Sequence, residues 1–512
     1  MKWDRKMTDC FDRPSERKHI STMKIWALNP PFLPKFSRPQ RSPAVTKSGT
    51  LYYPIWLAYT AAVLENDGWE VVLIDAPARH QTLAEIVRQA EIDRPDLIVM
   101  DTSTPSILND IGVVESLKHV LPDCFIVLVG THVSALPEET LRRSRHIDAV
   151  AVREYEYTLR DLARALANRS SGWPVDHASI TVQGLCLNTA QGIVCRSERP
   201  YIKNLDDLPW VSKMYERHLD IHDYFNPNAL YPMVTLITSR GCPFRCSFCV
   251  YPQTLTGRSY RFRSIEDVLD EMEYVIRAFP DIKSIFFEDD TLTANKKRCI
   301  QLADGMIRRN IRISWTANSR IDMDFETMQQ IRAAGCRQLC VGFESGDQRI
   351  LDAMKKGIQR DRMFQFMQDA RRAGLLIHGC FMMGFPGDTL ESIQRTVDLA
   401  VQLHPDTVQF YPVMVYPGTE AYREYAQKGW ITVSDYSRWI TPQGLHNCVI
   451  RNETLSSAEL VRLCDQARRR FYLRPGYLLY KMIQVLKNPG EIPRTVKAAA
   501  TFFRHLLRGS QV

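Results

Sequence analysis

Three cysteines lie close together near the middle of the chain, at Cys242, Cys246 and Cys249, in a C-x3-C-x2-C spacing. Thiolates are the soft ligands that iron–sulfur clusters and zinc select. Three thiolates on one loop can ligate three irons of a cubane and leave the fourth iron open. A structural zinc site requires a fourth protein ligand, and the next Cys and His are Cys299 and His378. The spacing therefore favours an iron–sulfur cluster over zinc or over unreactive buried thiols.

The elements that must position these cysteines belong to a β/α alternation running from residue 233 to about residue 423. The expected strands are 234–238, 284–288, 312–317, 338–343, 376–383 and 407–412, with helices in the gaps. Six such units predict a partial (β/α)6 TIM-like barrel, in which functional groups sit at the carboxyl ends of the strands. The cysteines follow the first strand directly, so they are expected at that end.

The segment 239–249, with Phe248 before the last cysteine, resembles the signature of the radical S-adenosylmethionine (SAM) superfamily, and the resemblance spans residues 233–425. It implies a [4Fe–4S] cluster on Cys242, Cys246 and Cys249, with SAM at the open iron. SAM cleavage would then yield a 5′-deoxyadenosyl radical that removes a hydrogen atom from the substrate. The acidic segment 288–290 stands where the family has a GGE-type motif, but Phe287 and Glu288 replace its two glycines, so no single carboxylate is assigned. The residues expected to contact SAM are Phe248, Glu288, Asp289, Asn318, Arg320, Glu344 and Gly384.

An earlier β/α alternation covers residues 23–165, with expected strands at 24–28, 69–75, 96–101, 124–129 and 146–152. Strands that alternate with helices predict an α/β fold with a doubly wound, Rossmann-like parallel sheet. Ligands of such sheets bind outside the carboxyl ends of the strands. Small and polar residues follow those ends, and each is also compatible with simple helix capping.

Four segments in this region resemble the cobalamin-binding radical SAM family: 29–31, 102–106, 130–138 and 153–156. The resemblance implies bound cobalamin. The D-x-H-x-x-G motif, in which a histidine ligates cobalt, is absent, so binding through backbone and small polar groups is expected. A domain that binds no corrin and only packs on the barrel stays open as an alternative. The candidate cobalamin contacts are Thr102, Ser103, Thr104, Gly130, His132 and Glu154.

The commonest reaction in that family is methylation of an unactivated carbon, and other members carry out cyclisation or rearrangement, as the anaerobic magnesium-protoporphyrin ester cyclase does. Residues 249–257 are similar to hopanoid-associated radical SAM proteins. These resemblances imply a hydrophobic biosynthetic intermediate as substrate (a lipid or isoprenoid, a tetrapyrrole or another natural product) and an electron donor such as flavodoxin or ferredoxin. A corrin-free radical SAM enzyme is the alternative. A non-enzymatic iron–sulfur carrier is disfavoured, because it would saturate its cluster with four cysteines and need no barrel.

Charge and composition bound the remaining possibilities. The 512-residue chain has a net charge of +8, but residues 468–512 hold ten Lys and Arg against one Glu, so the rest is near neutral and no nucleic-acid partner is expected. Residues 1–22 are expected to be a disordered leader, 166–230 a connector, 231–430 the radical SAM core and 431–512 a helical basic region. That last region either caps the barrel or lies on an anionic membrane surface. No secretory signal or apolar run of membrane-spanning length is found, which favours a cytoplasmic protein. The membrane alternative for the basic region would add peripheral contact at the inner membrane face.

Overall fold

The computed structural model describes residues 23–168 and 177–487, so the predicted leader and residues 488–512 lie outside the described residues. The first domain is built on a seven-stranded sheet with the order β2-β1-β3-β4-β5-β6-β7. The first five strands are parallel, and β6 and β7 are added antiparallel. The strands are Lys24–Asn29 (β1), Glu70–Asp75 (β2), Leu97–Thr102 (β3), Phe125–Gly130 (β4), Ala149–Ala151 (β5), Leu185–Thr189 (β6) and Gly192–Cys195 (β7).

Burial explains why the parallel strands are readable from sequence. Every residue of β3 and β4 is buried, as expected when helices cover both faces of a sheet, and such strands read as continuous apolar runs. The helices of this domain are Ile55–Asn66 (α1), Leu83–Asp93 (α2), Ile107–Val120 (α3), Thr131–Ala135 (α4), Pro137–Arg143 (α5) and Glu156–Ala167 (α6).

Two features of the first domain differ from the sequence-based expectation. Helix α6 is not predicted, yet it buries Leu159, Leu162, Ala163 and Leu166, a helical i, i+3, i+4, i+7 stripe that the sequence contains. The hairpin of β6 and β7, placed by sequence in a connector, pairs with β5 and extends the sheet. A disulfide between Cys186 and Cys195 links its two strands.

After helix α7, Ser212–His218, the second domain forms a six-stranded, all-parallel open barrel with the order β15-β14-β13-β12-β11-β8. The partial (β/α)6 architecture is therefore confirmed. Its strands, with a small hairpin of β9 and β10, are Met233–Leu236 (β8), Ser239–Arg240 (β9), Arg261–Phe262 (β10), Ser284–Phe287 (β11), Ser314–Ser319 (β12), Cys336–Glu344 (β13), Leu376–Met383 (β14) and Thr407–Pro412 (β15). Its helices are Val250–Thr254 (α8), Ile265–Ala278 (α9), Lys296–Arg308 (α10), Phe325–Ala333 (α11), Gln348–Ala353 (α12), Arg362–Ala373 (α13), Leu390–Leu403 (α14) and Glu420–Gln427 (α15).

The C-terminal region closes the molecule. Helix α16 (Ser457–Tyr472) packs along β15, and α17 (Pro475–Lys487) follows it. Before them, the 3₁₀ turn Tyr436–Trp439 packs on the 3₁₀ turn Thr104–Ser106 and on α3 of the first domain. Buried apolar residues of both domains form one continuous core. No helix in the described part of the chain has the length and apolarity needed to cross a bilayer.

Candidate functional site

The loop that carries the three cysteines is held by two acids that follow β11. Asp289 Oδ1 accepts the backbone N–H of Thr238 (2.6 Å), and its Oδ2 accepts the hydroxyls of Thr238 and Ser239 (2.7 Å each). Asp290 Oδ2 accepts the N–H of Gly241 (2.9 Å) and the hydroxyl of Thr256 (2.7 Å). These bonds explain why β8 stops at Leu236, before the predicted residue 238. The adjacent strand end therefore fixes the chain just before Cys242.

Gly241 is required by this path. Its φ is +83°, and a Cβ there would lie 2.1 Å from the carbonyl oxygen of Ser259. Further along, Cys242 N donates to the carbonyl of Gly257 (3.2 Å) and Ser247 N to that of Met354 (3.0 Å). The loop is thus pinned before, at and after its first cysteine.

The three thiols fit a cluster. All are free; Cys246 is buried, while Cys242 and Cys249 stay partly accessible. Burial raises the pKa of the Cys242 and Cys249 thiols, and ligation to a cationic centre is what compensates for forming such thiolates. Among residues 23–168 and 177–487, no three His, Cys, Asp or Glu side chains converge as ligands of a single ion; cubane ligands instead bind separate irons. The donor set therefore fits a [4Fe–4S] cluster.

Three carboxylates at strand ends keep one unsatisfied oxygen each. Glu288 Oε2, Asp290 Oδ1 and Glu344 Oε2 are buried and have no hydrogen-bond partner among the described residues. Glu344 Oε1 binds the ammonium of Lys356 (2.7 Å), and Glu288 Oε1 pairs with Arg41. Burial raises the pKa of Glu288. Buried oxygens without partners need an explanation, and the ammonium and ribose hydroxyls of SAM are suitable donors.

Glu344 also holds an uncommon backbone conformation. Its φ is +65°, and β13 changes register between Gly342 and Glu344. A Cβ on Gly342 would lie 2.1 Å from Glu344 Oε1 and 2.6 Å from Lys356 Nζ. Left-handed backbone at non-glycine residues is costly and concentrates at functional sites. This bulge directs the Glu344 carboxylate onto Lys356, beside Cys246.

The other residues predicted to contact SAM have mixed surroundings. The amide of Asn318 donates to the backbone carbonyl of Asp289 (3.2 Å). Arg320 donates to Asp322 (2.8 Å) and to the carbonyl of Lys356 (2.9 Å), and its guanidinium lies 3.6 Å from the Phe244 ring centroid. Arg320 therefore supports the cysteine loop.

The carboxyl end of β14 reaches the cysteine loop through a contact between two aromatic rings. The Phe248 ring lies 5.5 Å from that of Phe385, next to Gly384 at φ +100°. Asp289 has both oxygens engaged in holding the loop. The SAM roles of Phe248, Gly384, Asn318, Arg320 and Asp289 remain predictions.

The carboxyl ends of β3 and β4 bring together five of the six candidate cobalamin residues, Thr102, Ser103, Thr104, Gly130 and His132. The Thr102 hydroxyl donates to the Val129 carbonyl (2.7 Å), and His132 Nδ1 lies 3.1 Å from Thr104 Oγ1. A Cβ on Gly130 would lie 2.4 Å from Thr102 O, so only glycine lets the backbones of β3 and β4 approach this closely here. His132 Nε2 is buried without a partner among the described residues, and burial lowers the pKa of His132 to about 3, which keeps it neutral. The edge is lined by backbone and small polar groups, the chemistry expected of the predicted cobalamin site, and the roles of its individual residues remain predictions.

Glu154, the sixth candidate, is engaged elsewhere. Its oxygens accept two bonds from Arg261 (2.8 Å each) and one from Ile202 N (2.9 Å), and Arg240 lies 3.6 Å away. These arginines belong to the barrel domain, so Glu154 joins the two domains. Its cobalamin role remains a prediction.

A long connection between β1 and α1, residues 30–54, crosses to the barrel and supplies a residue that the sequence-based candidates do not include. We call residues 35–53 the strap. Arg41 on the strap forms an ion pair with Glu288 and lies 3.6 Å from Asp290 Oδ1. Tyr53 at its end donates to the carbonyl of Met233 (2.7 Å). The sequence signal that could have identified this segment is its length, because so long a connection between a strand and the next helix is uncommon unless it is functional.

The barrel lumen is polar. Phe343, Phe381 and Phe410 stack on the helix-covered face of neighbouring strands, so alternate residues face inward. Barrel interiors are usually filled by branched apolar residues. Here the strand registers place two rows across the lumen, Asn318–Cys340–His378 and Gly342–Cys380–Gln409.

This lumen contains enclosed but accessible side chains. Cys340 and Cys380 are partly accessible, although burial raises the pKa of Cys340 and raises that of Cys380 to about 12. Burial lowers the pKa of His378 to about 4. Tyr411 and the strap's Tyr52 are near Cys380 and are also partly accessible. These neutral groups face the barrel lumen, and Tyr411 lies near Cys249 of the cysteine loop.

Comparison with known proteins agrees with this geometry. Residues 236–400 match the radical SAM superfamily, and residues 41–163 match the B12 binding domain. An uncharacterized methyltransferase of Pyrococcus horikoshii is 30% identical over 432 residues, covering 84% of this chain and 90% of the relative. The anaerobic magnesium-protoporphyrin IX monomethyl ester cyclase of Rubrivivax gelatinosus is 25% identical over 83% of this chain and 75% of its own length. The hopanoid C-3 methylase of Methylococcus capsulatus is 23% identical, with coverages of 75% and 70%.

The fold also has a solved counterpart. The radical SAM methyltransferase TsrM of Kitasatospora setae, with cobalamin and a [4Fe-4S] cluster bound, superposes with a TM-score of 0.61 at 19% identity, over 86% of this chain and 84% of TsrM. Both predicted domains are therefore confirmed in kind and order. The chain belongs to the radical SAM superfamily, among the members that carry a B12-binding domain ahead of the radical SAM domain.

Proposed function

We propose that this cobalamin-dependent radical SAM enzyme methylates an unactivated carbon of a biosynthetic intermediate. The observation that carries the proposal is the packing of α4, which bears His132, against α8, which begins directly after Cys249. The candidate cobalamin edge and the cysteine loop therefore lie beside each other. When bound, the cluster and SAM supply a hydrogen-abstracting radical, and cobalamin supplies a methyl group.

The chain's own residues would hold the reactants and exclude water. Glu288 and Glu344 each have a carboxylate oxygen without a hydrogen-bond partner that can accept from SAM. The strap brings Tyr52 near Cys380 of the lumen, and the turn Tyr436–Trp439 covers the candidate cobalamin edge. In the lumen, His378 Nδ1 lies 2.8 Å from Thr407 Oγ1, and the exposed Gln409 side chain offers hydrogen bonds to a substrate. This polarity favours a substrate whose reacting end carries hydrogen-bonding groups, even where the remainder is hydrophobic.

The first test is anaerobic purification of the full chain, with the cluster reconstituted and hydroxocobalamin added. We expect four irons, retained cobalt, and both 5′-deoxyadenosine and S-adenosylhomocysteine from SAM and a strong reductant. 5′-Deoxyadenosine without S-adenosylhomocysteine would replace methylation by cyclisation or rearrangement. Iron without cobalt would favour a corrin-free enzyme.

We further propose that an acidic electron-transfer protein, such as flavodoxin or ferredoxin, docks behind the cysteine loop. A surface pocket of about 400 Å³ there is lined by Arg245, Arg258, Lys355 and Arg423. Its Gln253 donates to the carbonyls of Ser247 (3.1 Å) and Cys249 (2.9 Å), so its floor is the loop itself. Complementary charge steers such encounters and makes them salt-dependent.

Charge reversal tests this docking surface. Arg423→Glu should slow cluster reduction by reduced flavodoxin, while reduction by dithionite stays unchanged. Loss of the wild-type salt dependence is expected in the same variant. An unchanged flavodoxin rate would contradict the docking surface.

Peripheral membrane contact is proposed for α17. This helix has no acidic residue and exposes an apolar stripe. The stripe consists of Leu478, Leu479, Met482, Ile483 and Leu486. An exposed apolar face flanked by basic residues suits an anionic lipid surface.

Vesicle binding tests this contact. The full chain should sediment with phosphatidylglycerol vesicles and not with phosphatidylcholine vesicles. The double variant L479E/M482E should stay in solution. If the variant sediments like wild type, or if wild type does not sediment, α17 is covered by something other than a membrane.

A further inference from the structure

Arg41 is more exposed to solvent than the two strand-end acids with which it pairs. Glu288 and Asp290 side chains are each 4% exposed, whereas the Arg41 side chain is 29% exposed. Arg41 also donates to the carbonyl of Asp289 (3.0 Å) and lies 5.2 Å from the Tyr251 ring centroid. Its charge acts on the thiol of Cys249, where it opposes the effect of burial on the pKa. A partly exposed arginine side chain thus lies between the buried acids and a predicted cluster ligand.

The other cations near these acids are more deeply buried than Arg41. Lys356 is 7% exposed and binds Glu344. Arg320 is 5% exposed and donates to Asp322 and to the Lys356 carbonyl, with its face on Phe244. Of these three described cations, Arg41 presents the most accessible side chain.

The methionyl end of SAM carries an ammonium and a carboxylate on the same carbon. A neighbouring acid and arginine complement that pair of charges. Glu288 Oε2 is free to accept the ammonium, and a guanidinium binds a carboxylate through paired, charge-assisted bonds. Arg320, the sequence-based candidate for the carboxylate, uses Nε and Nη2 to hold Asp322 and the Lys356 carbonyl, and its side chain is 6% exposed against 29% for Arg41.

We propose that Arg41 of the first domain binds the carboxylate of SAM across the domain interface, beside Glu288, which takes the ammonium. The inference rests on the SAM site proposed above. The strap is held in place for this role: Ser42 Oγ lies 3.0 Å from the Tyr416 hydroxyl, and Val45 N donates to the Gly444 carbonyl (2.8 Å). The SAM site then spans both domains.

Ligand discrimination tests the proposal on the reconstituted full chain. SAM and decarboxylated SAM differ only by the carboxylate, so equilibrium dialysis of both ligands separates its contribution. Wild type should bind SAM more tightly. Arg41→Met should weaken SAM binding at least about tenfold, which corresponds to about 1.4 kcal/mol, and leave decarboxylated SAM within about twofold. Arg41→Lys should give an intermediate ratio.

Arg320→Met is the matched comparison. It should lower iron content through the Phe244 contact without changing the ratio of the two affinities. Equal losses of both ligands in Arg41→Met would mean a structural role only, and a changed ratio in Arg320→Met instead would assign the carboxylate to Arg320. Either result overturns the inference. Ligand binding is measured without turnover, so failure of methyl transfer would not affect it.

Discussion

Arg240 and Glu156 form a buried ion pair, 2.7 Å apart, with side chains 1% and 2% exposed. Glu156 begins α6 of the first domain, and Arg240 lies two residues before Cys242. Arg240 also stacks over Trp56 and Tyr59 of α1, at 5.0 and 4.8 Å from the ring centroids. Domain docking and the start of the cysteine loop therefore depend on the same side chain.

Arg240→Met should destabilise the protein strongly. Removing one partner of a buried pair leaves an uncompensated charge and costs about 3–5 kcal/mol. We expect a lower unfolding midpoint in denaturant and reduced iron content after reconstitution. R240M/E156L, which removes both charges, should recover part of the lost stability. A single variant as stable as wild type would contradict the importance of this pair.

Each cysteine of the loop should be essential for SAM cleavage. Cys246→Ala should abolish 5′-deoxyadenosine formation and lower iron content, while the circular dichroism spectrum stays native. Cys299→Ala is the control, because Cys299 is a buried thiol on α10, outside the loop. Wild-type SAM cleavage by the Cys246 variant would show that the cluster assignment is wrong.

Gly130→Ala should impair cobalamin binding selectively. The new Cβ would meet Thr102 O at 2.4 Å in a backbone with φ +116°, at the edge where cobalamin is expected. We expect cobalt retention to fall, with iron content unchanged. Gly112→Ala is the matched control: it lies in α3, where an added methyl has no neighbouring atom within 4 Å, so it should be neutral or slightly stabilising. Equal cobalt in both variants would count against this edge.

Asp101 should make stability depend on pH. Burial raises the pKa of Asp101 from 3.8 to about 7, so the folded state holds its proton over a range in which the unfolded state releases it. Stability from this group is therefore highest below about pH 4 and declines as pH rises to about 7. Asp101→Asn should remove this decline, so its unfolding free energy relative to wild type should grow across that range and then level off. A pH-independent difference would contradict it.

The sequence is most informative where one local pattern suffices. Apolar runs locate β3 and β4, and the spacing of Cys242, Cys246 and Cys249 indicates their chemistry before any geometry is known. Helix α6 escapes prediction because its first residues fall in a segment that resembles a ligand-binding loop. Its apolar periodicity is the signal that identifies it as a helix.

Long-range pairings are beyond local patterns. Glu154 resembles a cobalamin contact in sequence, yet its partners Arg240 and Arg261 come from the second domain. Asp289 sits in an acidic run whose three members look alike, and only hydrogen bonding separates it, as the acid that clamps Thr238, from Glu288 and its free oxygen. Arg41 belongs to a strap without regular structure, so no periodicity marks it.

The turn Tyr436–Trp439 has a consequence for how the protein matures. It rests on Thr104–Ser106 and on α3, yet it is synthesised more than 300 residues later. While the ribosome is still synthesising the barrel, the turn does not yet cover the candidate cobalamin edge of the first domain. The turn, with its fully buried Trp439, arrives only when the barrel is complete. We therefore predict that cobalamin supplied during synthesis is incorporated more readily than cobalamin added to the finished chain.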